Sequence, residues 1–214
     1  MSAPYYADEW VTLYHGDCRE VDEWRTTDAI VTDPPYGLGD LMTGGKVKWG
    51  LWANDRGLRG GGLAWDQEVP AVVTTIPTIA EHCIVWGGHL FGFPPARGWL
   101  VWDKIVRNFT SGHCELAWTT LDQPIRAFSC SHGELATEGK LHPTQKPLRL
   151  MSWCIGFLPE SAGTIADPFA GSGSTLVAAK ALGRRAIGVE LDERYCEIAA
   201  KRLSQGVLDF GGAA

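Results

Sequence analysis

The hydrophobic residues of this 214-residue chain recur in short runs that are separated by segments with helical spacing. Runs typical of buried strands cover Asp28–Asp33, Glu81–Trp86, Trp99–Trp102, Gly163–Asp167 and Arg185–Glu190. Strands that alternate with helices pair side by side in the same direction. The pattern therefore predicts an α/β fold built on a largely parallel sheet.

Four segments have the spacing or the end signals of helices. They are Pro70–Ile79, a segment beginning at Leu148, Ser174–Leu182 before the capping Gly183, and a last helix that Asp192 can cap. A chain of this length accommodates one well-buried domain, so we expect a single domain over residues 1–214.

Two segments do not fit the strand and helix pattern. Residues 37–66 are rich in glycine, and we interpret them as a mobile loop that covers a site. Residues 103–141 are polar and irregular, with Cys114–Trp118 as a short strand outside the core. We predict that this second segment is a small insertion that contacts the substrate.

A glycine-rich turn joins a predicted strand to a predicted helix. Asp167 ends the strand, Gly171 and Gly173 form the turn, and Glu190 ends the next strand. Such turns let the backbone approach a nucleotide while the second acid holds its ribose. Leu176 stands where a dinucleotide site needs a third glycine, and no lysine follows to bind phosphate. The pattern favours S-adenosylmethionine, a nucleoside without phosphate.

The tetrapeptide Asp33-Pro34-Pro35-Tyr36 follows the first buried strand. An exocyclic amino nitrogen of a base is a weak nucleophile, because its lone pair is delocalised into the ring. A carboxylate and a carbonyl held by prolines can accept its two N–H groups, and Tyr36 offers a face for a flipped base. The tetrapeptide therefore predicts methyl transfer to an amino nitrogen.

The six cysteines give two negative results. None follows a proline, which disfavours the cysteine chemistry of carbon methylation, and none forms a Cys-x-x-Cys pair, so reduced thiols are expected. The spacing of His113, Cys114, Cys130 and His132 fits no common zinc pattern, so we predict no metal.

With no stretch of about 18 apolar residues, a cytoplasmic protein outside membranes is expected.

The charge is unevenly distributed along the chain. Its formal net charge is −6, and residues 1–40 carry nine carboxylates against two arginines. Basic residues collect further along, where we expect phosphate contacts. These candidates are Lys46, Lys48, Arg56, Arg59, Arg97, Lys104, Arg107, Arg126, Lys140, Lys146 and Arg149.

Taken together, five motifs resemble the amino-methylating DNA methyltransferases of the β arrangement, in which the catalytic motif precedes the glycine turn. The motifs are Gly16–Cys18, Asp33–Tyr36, His142–Pro147, Asp167–Ser174 and Gly188–Glu190. The resemblance implies a Rossmann-like methyltransferase fold with circularly permuted motif order and a small target-recognition insertion at 103–141.

The resemblance also implies roles for individual residues. Asp33, Pro34 and Pro35 would form the catalytic backbone segment, with Asp33 and Pro34 engaging the amino group and Tyr36 stacking on the base. Thr144 and Lys146 would lie near the methionine end of the cofactor. The full set implied around S-adenosylmethionine is Asp17, Asp33, Thr144, Lys146, Asp167, Phe169, Gly171, Gly173 and Glu190.

The expected substrate is double-stranded DNA, methylated at adenine N6, because the Asp form of the tetrapeptide is commoner among adenine enzymes of this family. The small recognition region implies a short target sequence or help from a second copy of the chain, forming a homodimer. Similar small enzymes belong to restriction–modification systems and phages. Three alternatives stay open: a cytosine N4 enzyme, an RNA methyltransferase, and a non-catalytic cofactor-binding partner subunit.

Overall fold

The structure, a computed structural model, describes residues 3–37, 68–105, 112–131 and 145–205. Apart from Gly37, the predicted loop at 37–66 lies outside the described residues. None of the helices in the described ranges has the length and apolar character that crossing a bilayer requires.

The described strands form one mixed sheet in the order β1-β2-β9-β8-β3-β4-β6-β5-β7. The nine strands are β1 Tyr6–Ala7, β2 Val11–His15, β3 Ala29–Thr32, β4 His82–Trp86, β5 Trp99–Asp103, β6 Cys114–Thr119, β7 Arg126–Ser129, β8 Thr164–Asp167 and β9 Arg185–Glu190. All five strands expected from the hydrophobic pattern are present, so the predicted α/β class is confirmed.

The centre of the sheet is parallel. Strands β2, β9, β8, β3 and β4 run in one direction, with the late strands β8 and β9 lying between the early strands β2 and β3. After β8 the chain forms β9, which lies on the β2 side of β8. After β3 it forms β4, which lies on the opposite side. Ligands of open α/β sheets bind outside the carboxyl ends of the strands at such a reversal. The topology therefore places a crevice beside the ends of β3 and β8.

Strand β6 corrects one prediction. Residues 114–118 were expected to form a small strand outside the core, but β6 pairs antiparallel with both β4 and β5 in the main sheet. Ala117 and Trp118 are buried. The first half of the strand is exposed or half-buried and carries Glu115, and only its second half lies in the core. Within residues 103–131, both β6 and β7 are thus strands of the main sheet.

Helices cover both faces of this sheet. The α-helices of the described residues are α1 Ile76–Ile79, α2 Leu148–Ile155, α3 Ser174–Ala181 and α4 Glu193–Ser204. As predicted, the Asp192 carboxylate caps α4 by accepting from the Arg194 N–H. The expected helix at 70–79 is split, with a 3₁₀ turn over Ala71–Thr75 before α1, and Pro77 lies in the first turn of α1, where no N–H is needed.

The two faces of β3 show how the sheet is buried. Ala29 and Val31 point into the core on the side of α2 and α3, while Ile30 points into the core that contains Trp24 and Val73. A strand covered on both faces needs a continuous apolar run. This explains why the segment before Asp33 reads as uniformly hydrophobic.

We predict that Ile84→Ala in β4 lowers the free energy of unfolding by about 2–5 kcal/mol, because it leaves a cavity in a close-packed core. Ile84 has no exposed surface, whereas Ile125 is 63% exposed. Ile125→Ala is the control and should change stability by no more than about 0.5 kcal/mol. Urea denaturation measures both, and equal losses in the two variants would contradict the described burial.

Candidate active site

A cavity of about 880 Å³ opens at the carboxyl ends of the parallel strands. Its wall includes Asp33 after β3, Asp167 at the end of β8 and Glu190 at the end of β9. The glycine turn at Gly171 and the Lys146 side chain also line it. The tetrapeptide at Asp33, predicted to act on the base, and the glycine turn, predicted to bind the cofactor, therefore face one cavity.

The Asp33 carboxylate is held at both oxygens. The Tyr36 hydroxyl donates to Oδ1 over 2.6 Å, and the Lys146 ammonium donates to Oδ2 over 2.5 Å. Burial raises the pKa of Asp33, and the Lys146 charge opposes that rise. Each carboxylate oxygen has two acceptor sites, so these contacts leave room for a further donor. Asp33 is fixed in orientation and remains able to accept a hydrogen bond.

The ammonium of Lys146 has a second carboxylate partner. It lies 3.1 Å from Glu115 of β6, which in turn lies 2.7 Å from the ammonium of Lys104. Burial opposes ionisation of Glu115, yet the two lysines lower the pKa of its carboxyl to about 2. Burial would also lower the pKa of Lys146, but Asp33 and Glu115 raise it. The opposite charges around Glu115 and Lys146 therefore favour the ionised forms of these two groups.

A glycine seats the Tyr36 ring. Gly87 follows β4 with φ +72°, and a Cβ atom at this position would overlap the Tyr36 ring. Phe91 packs on the same ring at a centroid distance of 6.1 Å. Only glycine adopts this backbone conformation easily and also leaves space for the ring. The position of Tyr36 thus depends on Gly87.

The glycine turn and Glu190 are bonded to each other. The Gly171 N–H donates to Glu190 Oε2 over 2.7 Å, and the Asp192 N–H donates to Oε1 over 2.8 Å. Burial raises the pKa of Glu190, and these two N–H groups oppose the rise. The carboxylate is held at the mouth of a backbone turn, an arrangement suited to ribose hydroxyls.

Asp167 connects the strand that precedes Asp33 with the start of the glycine turn. Its Oδ1 accepts from the Thr32 hydroxyl over 2.7 Å and from the Phe169 N–H over 3.1 Å. Thr32 is the last residue of β3 and directly precedes Asp33. Burial raises the pKa of Asp167 to about 6, although the hydroxyls of Thr175 and Thr32 oppose it.

Asp17, which follows β2, also lines the cavity. Its carboxylate is paired with Arg19 over 2.5 Å. The Gly16 N–H donates to the Glu190 carbonyl over 2.9 Å, which joins this turn to the end of β9. The Gly16–Cys18 motif is therefore adjacent to the acid expected to hold ribose.

Most of the predicted site residues within the described ranges line the cavity. Gly173 does not; with φ +79° it supports the turn from behind, where a Cβ would lie 2.9 Å from Ala199. Tyr36 and the buried Pro34 are also absent from the lining. The lining members are Asp17, Asp33, Pro35, Lys146, Asp167, Phe169, Gly171 and Glu190.

The basic residues expected to contact phosphate separate into three groups. Lys104 and Lys146 are only 4% and 6% exposed and are paired with carboxylates, so the prediction that they contact phosphate is wrong. Arg97, Arg126 and Arg149 are exposed, and their contact with DNA stays a prediction, although Arg97 is paired with Asp122. The others that were predicted to contact DNA or the cofactor and that lie outside the described residues are Lys46, Lys48, Arg56, Arg59, Arg107, Lys140 and Thr144.

Sequence reasoning missed Glu115, Gly87 and Thr32. A weak signal existed for Glu115, which is the single charge in the otherwise uncharged strand β6. Thr32 is adjacent to Asp33, but its bond to Asp167 spans 135 positions of the chain. Contacts of this kind depend on which strands are neighbours, and the sequence does not state that directly.

Comparison with known proteins identifies the family of this chain. The sequence profile of the family described as DNA methylase matches residues 85–201, more than half of the chain. The chain belongs to the DNA methylase family. The family predicted from the five motifs is thus confirmed.

Curated relatives match this chain over about a third of its length. The Type II methyltransferase M2.DpnII of Streptococcus pneumoniae is 50% identical over 62 residues, which are 29% of this chain and 23% of that protein. The Type II methyltransferase M.HinfI of Haemophilus influenzae is 44% identical over 69 residues, 32% of this chain and 19% of that protein. The matched segment thus spans less than a quarter of these relatives.

Solved structures share the whole fold. A complex of M1.HpyAVI with SAM has a TM-score of 0.56 at 22% identity and covers 91% of this chain and 99% of that one. The cytosine-N4-specific PvuII DNA methyltransferase has a TM-score of 0.58 at 16% identity and covers 98% and 90%. At these identities the likeness is one of fold, and it confirms the predicted Rossmann-like methyltransferase architecture.

We predict that Asp167→Asn changes how stability depends on pH. The folded-state pKa of about 6 lies above the ordinary 3.8, so the stabilisation from this carboxyl is present below about pH 4 and is lost as pH rises through 6. Relative to the variant, the wild type should lose on the order of 2–3 kcal/mol between pH 4 and pH 7. Urea denaturation at several pH values tests this, and parallel profiles would contradict the buried carboxyl.

Proposed function

We propose that this chain transfers a methyl group from S-adenosylmethionine to the N6 amino group of adenine in double-stranded DNA. The observation that carries the proposal is that Asp33 and the Gly171–Glu190 pair line one cavity. Family membership supports the reaction class, and the described geometry supports the assignment of residues below.

The cavity fits the cofactor in size and in chemistry. Its volume of about 880 Å³ lies in the upper part of the range for ligand pockets and leaves space for a nucleoside and a base. Glu190 would hold the ribose, and Asp17 would lie on the adenine side. Two of the three Lys146 N–H donors are used by carboxylates, and Thr144 with Lys146 would lie near the methionine end. When bound, S-adenosylmethionine supplies a methyl group activated by its sulfonium.

The residues on the base side would increase the nucleophilicity of the amino nitrogen. Asp33 and the carbonyl of Pro34 would accept its two N–H groups, which localises the lone pair and favours the positive charge that develops there. Lys146 and Tyr36 hold the carboxylate in place, so little reorganisation is needed during the reaction. The ring of Tyr36 would stack on the flipped base.

Adenine N6 is favoured over cytosine N4 by the Asp at the head of the tetrapeptide, a feature of the resemblance described above. The PvuII structure shares the fold and is cytosine-specific, so the fold alone does not choose the base. Mass spectrometry of nucleosides from DNA treated with the protein and S-adenosylmethionine decides between them. We expect N6-methyladenine, and N4-methylcytosine would overturn the choice of base.

DNA contact is proposed to come from basic residues. Arg126 on the exposed strand β7 is one such residue, and the basic group at 46–59 is another. The described sheet leaves few side chains for base recognition, so we also propose a short target sequence, read by one chain or by a homodimer.

We predict that Asp33→Ala abolishes methyl transfer, because the carboxylate acts on the base, while S-adenosylmethionine binds within about threefold of the wild-type affinity. Calorimetry with the cofactor and transfer of a tritiated methyl group to DNA measure the two effects. Asp22→Ala, at a carboxylate 85% exposed on its side chain, is the control and should change neither. Equal loss of binding and transfer in Asp33→Ala would refute the assigned role.

Gly87→Ala should reduce methyl transfer at least about tenfold, because it displaces the Tyr36 ring without touching the cofactor residues. Gly92→Ala is a matched control, since Gly92 has φ +67° in the same loop and nothing lies within 4 Å of its Cβ position. Both variants carry backbone strain, but only the first moves Tyr36. Similar transfer rates in the two variants would show that the ring is not needed.

A quadruple alanine variant at Lys46, Lys48, Arg56 and Arg59 tests the DNA contacts. Each phosphate contact contributes about −0.9 to the slope of log affinity against log salt. If all four residues contact phosphate, the slope should become shallower by about 3 to 4 units. Fluorescence anisotropy with a labelled duplex measures it, and an unchanged slope would exclude these residues.

A further inference from the structure

A row of four charged side chains runs from the cavity into the sheet. Asp33, Lys146, Glu115 and Lys104 alternate in sign, with nitrogen–oxygen distances of 2.5, 3.1 and 2.7 Å. The lysine side chains are only 7% and 5% exposed. Two positive and two negative charges balance, which is the condition for keeping ionised groups out of water.

Glu115 is the member of this row with the most rigid support. It lies on β6, which is hydrogen-bonded to β4 on one side and β5 on the other, and it faces Trp102 of β5 in the register. The Lys104 N–H donates to the His113 carbonyl over 3.0 Å, which continues the β5–β6 ladder and brings Lys104 beside Glu115. A flexible lysine is thus attached to a fixed carboxylate.

Other groups also face the Lys146 ammonium. The rings of Trp86 and Tyr36 lie 5.4 and 5.9 Å from it, and the Cys154 thiol of α2 is close enough to interact electrostatically. Burial raises the pKa of Cys154, so the thiol is neutral. Asp167 interacts with Asp33 across the end of the sheet. Among the described residues, the negative charges directly paired with Lys146 are those of Asp33 and Glu115.

We infer that Glu115, supported by Lys104, is a positioning residue that fixes the Lys146 ammonium beside Asp33 and sets how strongly that carboxylate accepts a hydrogen bond. The inference rests on the proposed function, because it concerns the carboxylate that acts on the base. Lys146 is shared between two carboxylates, so its charge neutralises Asp33 only in part. Glu115 therefore preserves the accepting strength of Asp33 while preventing the lysine from moving away.

Two substitutions should move the pKa of Asp33 in opposite directions. In Glu115→Gln, Lys146 forms an ion pair with Asp33 alone. The pKa of Asp33 therefore falls, and the carboxylate becomes a weaker acceptor. In Lys104→Met, Glu115 loses one cation and draws Lys146 away, so the pKa of Asp33 rises. Both changes should slow methyl transfer in a single turnover at least about tenfold, with cofactor affinity within about threefold.

The direct readout is the carbon-13 signal of the Asp33 carboxyl, titrated in the full-length protein without DNA and assigned by its loss in Asp33→Ala. Asp8→Asn is the matched control, since it removes another ion pair of 2.5 Å, with Lys180, away from the cavity. This control should leave the Asp33 titration unchanged even if the melting temperature falls. Thermal melts of all variants report whether each is folded.

Shifts of opposite sign together with slower transfer support the positioning role. An unchanged Asp33 titration in either variant overturns it, and so does a wild-type transfer rate in Glu115→Gln. If Glu115→Gln does not fold, the Lys104→Met titration alone decides, with a rise supporting the role and no rise refuting it. A wild type that methylates no DNA would sink the proposed function, while the titration would still decide the role of Glu115.

Discussion

The site depends on the parallel pairing of β3 with β8. These strands come from opposite halves of the chain, yet their carboxyl ends lie side by side, and the Thr32 hydroxyl donates to Asp167 across the pair. That one bond joins the strand that delivers Asp33 to the strand that delivers the glycine turn. The common cavity that the proposed methyl transfer requires depends on this pairing.

The same region concentrates charge at a cost to stability. Buried ion pairs contribute little net stability, because desolvation offsets their attraction. Asp167 is buried without a cation among its main partners, and its raised pKa reflects that unfavourable position. In the row from Asp33 to Lys104, each charge is paired with an opposite charge. Such arrangements are expected where a fixed electrostatic environment serves a reaction more than it serves folding.

Much of the fold and part of the site could be predicted because their signals are local. The strand before Asp33 is a continuous apolar run, Asp192 is followed by a helix, and the glycine turn lies between a strand and a helix. Each of these features depends on residues within a few positions. The order of the motifs was then enough to indicate the family.

The features that were missed depend on contacts between distant segments. Strand β6 was placed outside the core because the segment around it is polar and irregular, although its pairing partners bury its second half. Lys104 was expected to contact DNA because it is basic, yet Glu115 from the neighbouring strand holds it in the interior. Gly87 has no local signal, since its importance comes from the Tyr36 ring 51 positions earlier in the chain. Packing partners, not composition, determine the role of each of these residues.

The most direct measurement is a crystal structure of the protein with S-adenosylmethionine or a non-reactive analogue and a duplex that contains the target base. The arrangement described here predicts the amino nitrogen of a flipped adenine bonded to Asp33 and the Pro34 carbonyl, with the transferable group about 3–3.5 Å away. A base bound without contact to Asp33, or a cofactor whose methionine end points away from that carboxylate, would contradict it.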